Sequence, residues 1–429
     1  MDVNYKKNVT PYNVKIKPRK PLFLFTFLVW LISKFSLIGI KYKVDKINME
    51  GIKPPYLLLS NHMYFVDFNL SAVATFPHAV NNVATIDGYY RRPLVMELLG
   101  CICKRKFTND LSLIKSIRYC LKEYGDIVCM YPEARYSPAG TTAILPDSLG
   151  KMVKMFQVPV VCLVHHGNYL HTPFWDHNHA RKVPLYSTMT CIYTAEEIAK
   201  ASVEEINEKI RTSLYYDEYE WQRDNKIKIT EPDRAKNLHK ILYKCPECGA
   251  ECEMQSDGSV IFCGHEGCQK KWQMDEYGNL HMMDGETRFT HIPDWFEWQR
   301  SEVRKEIEAG TYYFEDWVDV YSLPHAKRFI HLGNAKLTHD RNGLKLEGMY
   351  RGKPYCITRS AKSMYGIHIE YDYVYVKPFD CIDISTENDS FYCYPTKQNV
   401  VTKVSFAVEE LYKKYNEQRK NGASEESKA

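Results

Sequence analysis

From about residue 50 to residue 215, short continuous apolar runs alternate with amphipathic segments, the pattern of buried strands separated by surface helices. Residues 56–60 read as a strand, 66–74 as a helix and 101–107 as another strand. Residues 110–124 give the clearest helix. Leu113, Ile114, Ile117, Cys120, Leu121 and Tyr124 recur at helical spacing, Asp110 is placed to cap the start, and Gly125 ends it. Two further buried strands, 126–131 and 158–164, flank a helix at 149–157. This alternation predicts an α/β fold, a sheet flanked by helices, over residues 45–225.

Beyond residue 202 the pattern changes twice. Residues 202–240 are charged and largely helical, and residues 240–285 hold Cys245, Cys248, Cys263 and Cys268 at the spacing C-x2-C, x14, C-x4-C. That spacing is similar to a zinc ribbon, in which two turns present four thiolates to one structural zinc ion. The second turn is wider than usual, which leaves His265 as an alternative to one thiolate and Cys252 unassigned. Residues 286–420 form a third unit, an α+β domain. A helix at 293–308 carries Trp295, Phe296 and Trp298 near its start. Hairpin strands follow at 344–348, 355–359, 371–376 and 391–394. In the last helix Val404, Ala407, Val408, Leu411 and Tyr415 mark one face, with Glu409–Lys413 and Glu410–Lys414 pairs on the other. Strands closed by one C-terminal helix suggest a small sandwich or half-barrel, by analogy of pleckstrin-homology type. Residues 421–429 read as a disordered tail.

Composition sharpens this picture at the N-terminus. The net charge of +4 over 429 residues is weak for a nucleic-acid binder, and acidic residues interrupt the cysteine module. The charge is uneven, however: Lys6, Lys7, Lys15, Lys17, Arg19 and Lys20 all precede residue 21. Such a cluster suits a membrane surface carrying anionic lipids. An apolar run of residues 21–33 follows, short of the ~20 residues a spanning helix needs. Residues 1–44 therefore read as a basic lead and a helix lying in one leaflet, which implies a monotopic or peripheral protein on the cytoplasmic face of the cell membrane. Fourteen cysteines without a secretory lead fit a reducing compartment.

The candidate chemistry sits in Leu57-Leu58-Leu59-Ser60-Asn61-His62-Met63-Tyr64-Phe65-Val66-Asp67. A strand delivers a histidine to its end and a carboxylate follows five positions later. Five residues turn about 500° around a helix, so the two cannot share one helical face. His62 belongs in the turn and Asp67 in the first helical turn. There the carboxylate can hold one imidazole nitrogen and leave the other free as a base.

Asn61-His62 with Asp67 resembles the first motif of the membrane glycerolipid acyltransferases of the lysophosphatidic acid acyltransferase type. Gly100-Cys101-Ile102-Cys103-Lys104-Arg105 is similar to the second motif, Tyr131-Pro132-Glu133-Ala134-Arg135-Tyr136-Ser137 to the third, and Val158-Pro159-Val160-Val161 to the fourth. The third departs from the usual Glu-Gly-Thr-Arg, with Ala134 after the glutamate and the arginine one position early. The resemblance implies transfer of a fatty acyl group from acyl-CoA or acyl-ACP to a lysophospholipid hydroxyl, with His62 as base and Asp67 as its orienter. It also implies that Asn61, Arg105, Glu133, Arg135 and Ser137 bind substrate, the arginines through the acceptor's phosphate. Two rival readings are a thioesterase or lipid hydrolase using the same pair and a non-catalytic lipid-binding protein; no Gly-x-Ser-x-Gly elbow supports the hydrolase. The histidines His165, His166, His171, His177 and His179 match no ligand spacing and read as a loop near the site mouth.

Overall fold

A computed structural model describes residues 3, 5, 9–108, 110–177, 179–373 and 375–426, with side chains in the last helix described to residue 419. Seven strands form the first sheet: β1 (Tyr42–Ile47), β2 (Leu57–Ser60), β3 (Val80–Thr85), β4 (Ile102–Lys104), β5 (Ile127–Met130), β6 (Val160–His166) and β7 (Leu185–Tyr193). Their order is β1-β7-β6-β2-β5-β3-β4. All neighbours run parallel except β6 and β7. The most continuously apolar strands, β2, β5 and β6, are buried on both faces and take the centre, as parallel strands covered by helices must. Because these three are parallel, their C-terminal ends open on one edge of the sheet, where an open sheet gathers its site.

The helix Leu111–Tyr119 begins as the pattern predicts, with the Asp110 carboxylate accepting from the Ser112 N–H. It continues as a wider turn through Cys120–Tyr124 and ends at Gly125, whose φ of 67° is the left-handed conformation that glycine adopts without strain. The apolar N-terminal helix spans Phe23–Ser36, and Trp30 stacks on Phe76. Leu22, Phe23, Leu24, Ile32 and Phe35 stay exposed. At 1.5 Å per residue its 14 residues reach about 21 Å. Among the described residues no helix is long and apolar enough to cross a membrane.

The cysteine module is a four-stranded antiparallel ribbon over residues 254–282, and its Trp272 packs edge-on against Trp295 of the helix Ile292–Glu308. The third sheet is antiparallel and seven-stranded. A meander of Phe314–Ser322, Ile330–Asp340, Gly343–Tyr350 and Lys353–Ser360 joins, through its first strand, to Ser390–Pro395, Cys381–Ser385 and His368–Glu370. The helix Val401–Glu426 closes it, so the backbone stays helical past residue 421; residues 427–429 of the expected tail lie outside the described residues.

Two expectations for this region are corrected. Residues 371–373 and 375–376 form a loop instead of a strand. Asp372 has a φ of 48°, Tyr371 turns inward to meet Thr402 at 2.7 Å, and Tyr373 stacks on Tyr392. Glu409 and Glu410 do not lie on a solvated face. Both are buried: Glu409 bridges Arg135 and Arg300, and Glu410 Oε2 takes Arg304 Nε at 2.6 Å. Glu409 thus joins the first domain to both packed helices of the third.

Removing this carboxylate leaves the buried Arg135 guanidinium without its charge partner, while Arg300 keeps Glu297 at 2.9 Å. Glu409→Gln should lower stability by about 3–5 kcal/mol, read as a drop in the urea midpoint by far-UV circular dichroism. A midpoint within error of wild type would show that the bridge carries no load.

Candidate functional site

The strand β2 ends at Ser60, and the side chain of Asn61 continues its pairing with β6. Asn61 Nδ2 donates to the His165 carbonyl at 2.9 Å and its Oδ1 accepts the His165 N–H at 2.8 Å. This two-way exchange fixes the backbone just before His62. Asp67 enters in the first turn of the helix Val66–Thr75, and its Oδ2 accepts from His62 Nδ1 at 3.0 Å, Met63 N at 2.6 Å and Tyr64 N at 3.1 Å. Oδ1 accepts from Asn168 Nδ2 at 2.6 Å. Four donors therefore satisfy a carboxylate that is fully buried. Burial pushes its pKa up, but the hydrogen bonds from His62 and Asn168 and the nearby His165 outweigh this and hold it below the ordinary carboxylate value.

A carboxylate only accepts, so His62 Nδ1 carries the proton and Nε2 keeps its lone pair. The imidazole stacks on Tyr131 at 3.8 Å and meets Tyr136 at 4.4 Å. Its side chain remains 20% exposed, and Nε2 has no hydrogen-bond partner among the described residues. The ring is thus held from behind and open in front. Two small cavities lie elsewhere, one beside Arg135 and Arg300 and one beside Tyr12, and neither is lined by His62.

Residues 131–137 leave the end of β5 and wrap under this histidine. Ser137 N–H donates to the His62 carbonyl at 2.8 Å, and Ser137 Oγ turns away to the Thr141 carbonyl at 2.9 Å. Ala134 has a φ of 57°, so the backbone keeps a glycine-like conformation although a side chain now stands there. Glu133 is buried; its Oε2 accepts from Ala143 N at 3.1 Å, and both of its oxygens face the Tyr216 hydroxyl at 3.1 Å. Burial raises its pKa to about 7, with the Ala143 and Tyr216 bonds opposing.

Both guanidiniums expected to meet an acceptor phosphate are committed elsewhere. Arg105, 1% exposed, donates to the carbonyls of Leu323 at 3.3 Å and Pro324 at 2.8 Å and to Ser390 Oγ at 3.2 Å. Arg135, 7% exposed, meets Glu409 and donates to Ser405 Oγ at 3.1 Å. These partners all belong to the third domain. The next cation, Lys106, is equally buried, with Asp87 at 2.8 Å, Glu370 at 3.5 Å and Asp383 at 3.6 Å. Asn168, which holds Asp67, stands in no sequence motif. Its signal was its place at the end of β6, where Gly167 has a φ of 82° and a Cβ would meet the Pro184 carbonyl oxygen at 2.2 Å.

The four cysteines do converge. Their Sγ atoms all lie within 4.8 Å of one another, with Cys245–Cys268 at 3.8 Å and Cys248–Cys263 at 3.7 Å. A tetrahedral zinc with Zn–S bonds of about 2.3 Å requires sulfurs about 3.8 Å apart. The donor set fits a metal ion of that kind. His265 points instead to Glu253 at 3.2 Å, and Cys252 meets the Asn399 carbonyl. Among the described residues, the five histidines of residues 165–179 do not gather into such a cluster.

No family model and no curated protein matches the sequence. Among solved structures the chain is similar to the 1-acyl-sn-glycerophosphate (LPA) acyltransferase PlsC from Thermotoga maritima, over 48% of this chain and 81% of that one. The identity is 14% and the TM-score 0.37, too loose a likeness to carry weight for fold or chemistry.

The Glu133 carboxyl titrates near pH 7 when folded against an ordinary value of 4.5. The native state therefore holds the extra proton between those values, and its stability contribution is complete below pH 4.5 and lost as pH rises to 7. The loss is on the order of 3 kcal/mol. Glu133→Gln should abolish this share, so thermal unfolding followed from pH 4.5 to 8 should show the variant gaining on wild type as pH rises. Parallel pH profiles would contradict the buried, protonated carboxyl.

Proposed function

We propose that the chain is an acyltransferase. More particularly, we propose that it moves a fatty acyl group from a thioester donor, acyl-CoA or acyl-ACP, to the hydroxyl of a lysophospholipid. The carrying observation is the His62–Asp67 pair, with Nδ1 held by a buried carboxylate, Nε2 unpartnered among the described residues and the side chain partly exposed. In the reaction Nε2 takes the hydroxyl proton as the oxygen attacks the thioester carbonyl. The new ester C–O bond forms, the C–S bond breaks, and the departing thiolate takes the proton back from the imidazolium Nε2–H. Asp67 keeps the tautomer and stabilises the imidazolium. With Arg105 and Arg135 engaged by the third domain, they do not supply a ready phosphate clamp in this arrangement.

In this reading the exposed face of the helix Phe23–Ser36 rests in one leaflet of the cytoplasmic side of the membrane, since its about 21 Å falls short of a ~30 Å hydrocarbon core. The four thiolates hold one structural zinc ion, which completes the core of a module too small to build its own. The C-terminal domain is of pleckstrin-homology type, a reading supported by its four-strand meander, its three further strands and the closing helix.

Incubating detergent-solubilised protein with acyl thioester, with and without lysophospholipid, tests the main claim by mass spectrometry of the lipid product. His62→Ala should lower transfer by roughly 10²–10⁴ while leaving the circular dichroism spectrum intact. Undiminished transfer by the folded variant sinks the assignment, and full-rate thiol release without acceptor would make the protein a thioesterase. For the metal, elemental analysis should return one zinc per chain, and Cys248→Ser should lower both that stoichiometry and the unfolding temperature. Metal-free protein with an unchanged unfolding temperature on adding zinc would refute the site.

A further inference from the structure

Where the first and third domains meet, four cations stand exposed without an ion pair among the described residues: Arg91, Arg92, Lys327 and Arg328. They belong to one seam. Arg91, held at a φ of 62°, donates its N–H to the Ala326 carbonyl at 2.8 Å, and Tyr90 packs on Phe329 at 4.9 Å and on Tyr375 at 5.9 Å. Leu94 and Val95, separated from the two arginines by Pro93, are exposed, as are Tyr375 and Phe379 across the seam. The nearby acids are already occupied. Asp87 holds Lys106, Glu97 holds Arg19 and Tyr12, Asp319 holds Lys377 and His331, and Asp372 and Asp380 share Lys240. None of these acids forms an ion pair with Arg91, Arg92, Lys327 or Arg328.

The same patch runs toward the apolar N-terminal helix. Pro21 packs so closely on Gly100 that a Cβ there would lie 2.6 Å from the proline ring, and Arg19 meets Glu97 at 3.6 Å. Leu22, Phe23 and Leu24 thus emerge beside one end of the helix Pro93–Leu98, and Leu94 and Val95 lie at its other end. We propose that this seam is a second docking surface, built by two domains together, for an anionic lipid bilayer. Exposed aliphatic tips inside a basic rim enter the headgroup region while the cations meet lipid phosphates and carboxylates. Nucleic acid offers no place for the aliphatic tips. The proposal rests on the bilayer-facing reading of the helix Phe23–Ser36 and adds to it a contact that also fixes how the third domain lies against the lipid.

The test is sedimentation of the full chain with vesicles of phosphatidylcholine alone and of phosphatidylcholine containing phosphatidylserine. The variant R91Q/R92Q/K327Q/R328Q should lose at least about tenfold in partitioning onto the anionic vesicles at low salt, with binding to neutral vesicles unchanged. The double variant L24S/F35S should instead weaken binding to both kinds while keeping the preference for anionic ones. If the quadruple variant fails to fold, K327Q/R328Q, confined to an exposed loop, should lose part of the anionic preference. A folded variant that keeps the full wild-type preference overturns the proposal, whatever other partner the patch binds. Wild-type binding by L24S/F35S would refute the helix reading separately.

Discussion

The arrangement turns on one buried carboxylate. Asp67 lies at the start of a helix, out of water, and is tolerable there only because four donors from two segments converge on it. Met63 and Tyr64 supply backbone N–H groups of the turn itself, Asn168 arrives from the end of β6, and His62 is the fourth. The imidazole is thus held as part of satisfying a buried charge. The orientation that holds Nδ1 and leaves Nε2 unpartnered among the described residues is also the one that the folded state requires.

The third domain imposes a second constraint on the first. Arg105 and Arg135 follow β4 and β5 respectively, on segments that open at the same edge as His62, and each is buried against residues more than 200 positions away. A buried guanidinium needs acceptors, and the third domain provides carbonyls for one and a carboxylate for the other. The β-rich unit is therefore not an appendage on a linker. It supplies groups without which two cations of the first domain would be desolvated and unpaired.

How much of this was legible in the sequence depends on range. The Asp110 cap, the Gly125 stop and the central strands were readable because propensity, capping and continuous burial are local. The four cysteines were readable for the same reason, since metal geometry fixes spacing within each turn. The pairing of His62 with Asp67 follows from five residues of chain. Asn168, by contrast, is 101 positions from the carboxylate it holds. Tyr371, Tyr373 and Tyr375 alternate as a strand should, yet a left-handed Asp372 and the inward Tyr371 and Tyr373 make a loop. Glu409 and Glu410 had lysines at the right helical spacing, and burial against Arg135, Arg300 and Arg304 prevailed over that weak surface pairing.

The turn of residues 131–137 serves two neighbours at once, His62 above it and the third domain beside it. Ala134 keeps a glycine-like backbone, so the turn still passes beneath His62, with Ser137 bonded to its carbonyl. Arg135, the next residue, points into the interface and meets Glu409. For an acceptor phosphate to recruit Arg135, it would have to replace Glu409 while leaving Arg300 served. The broken pair alone costs about 3–5 kcal/mol, roughly the free energy of a millimolar contact. A headgroup that approaches His62 with the domains docked is therefore better met by groups already at the surface than by this arginine.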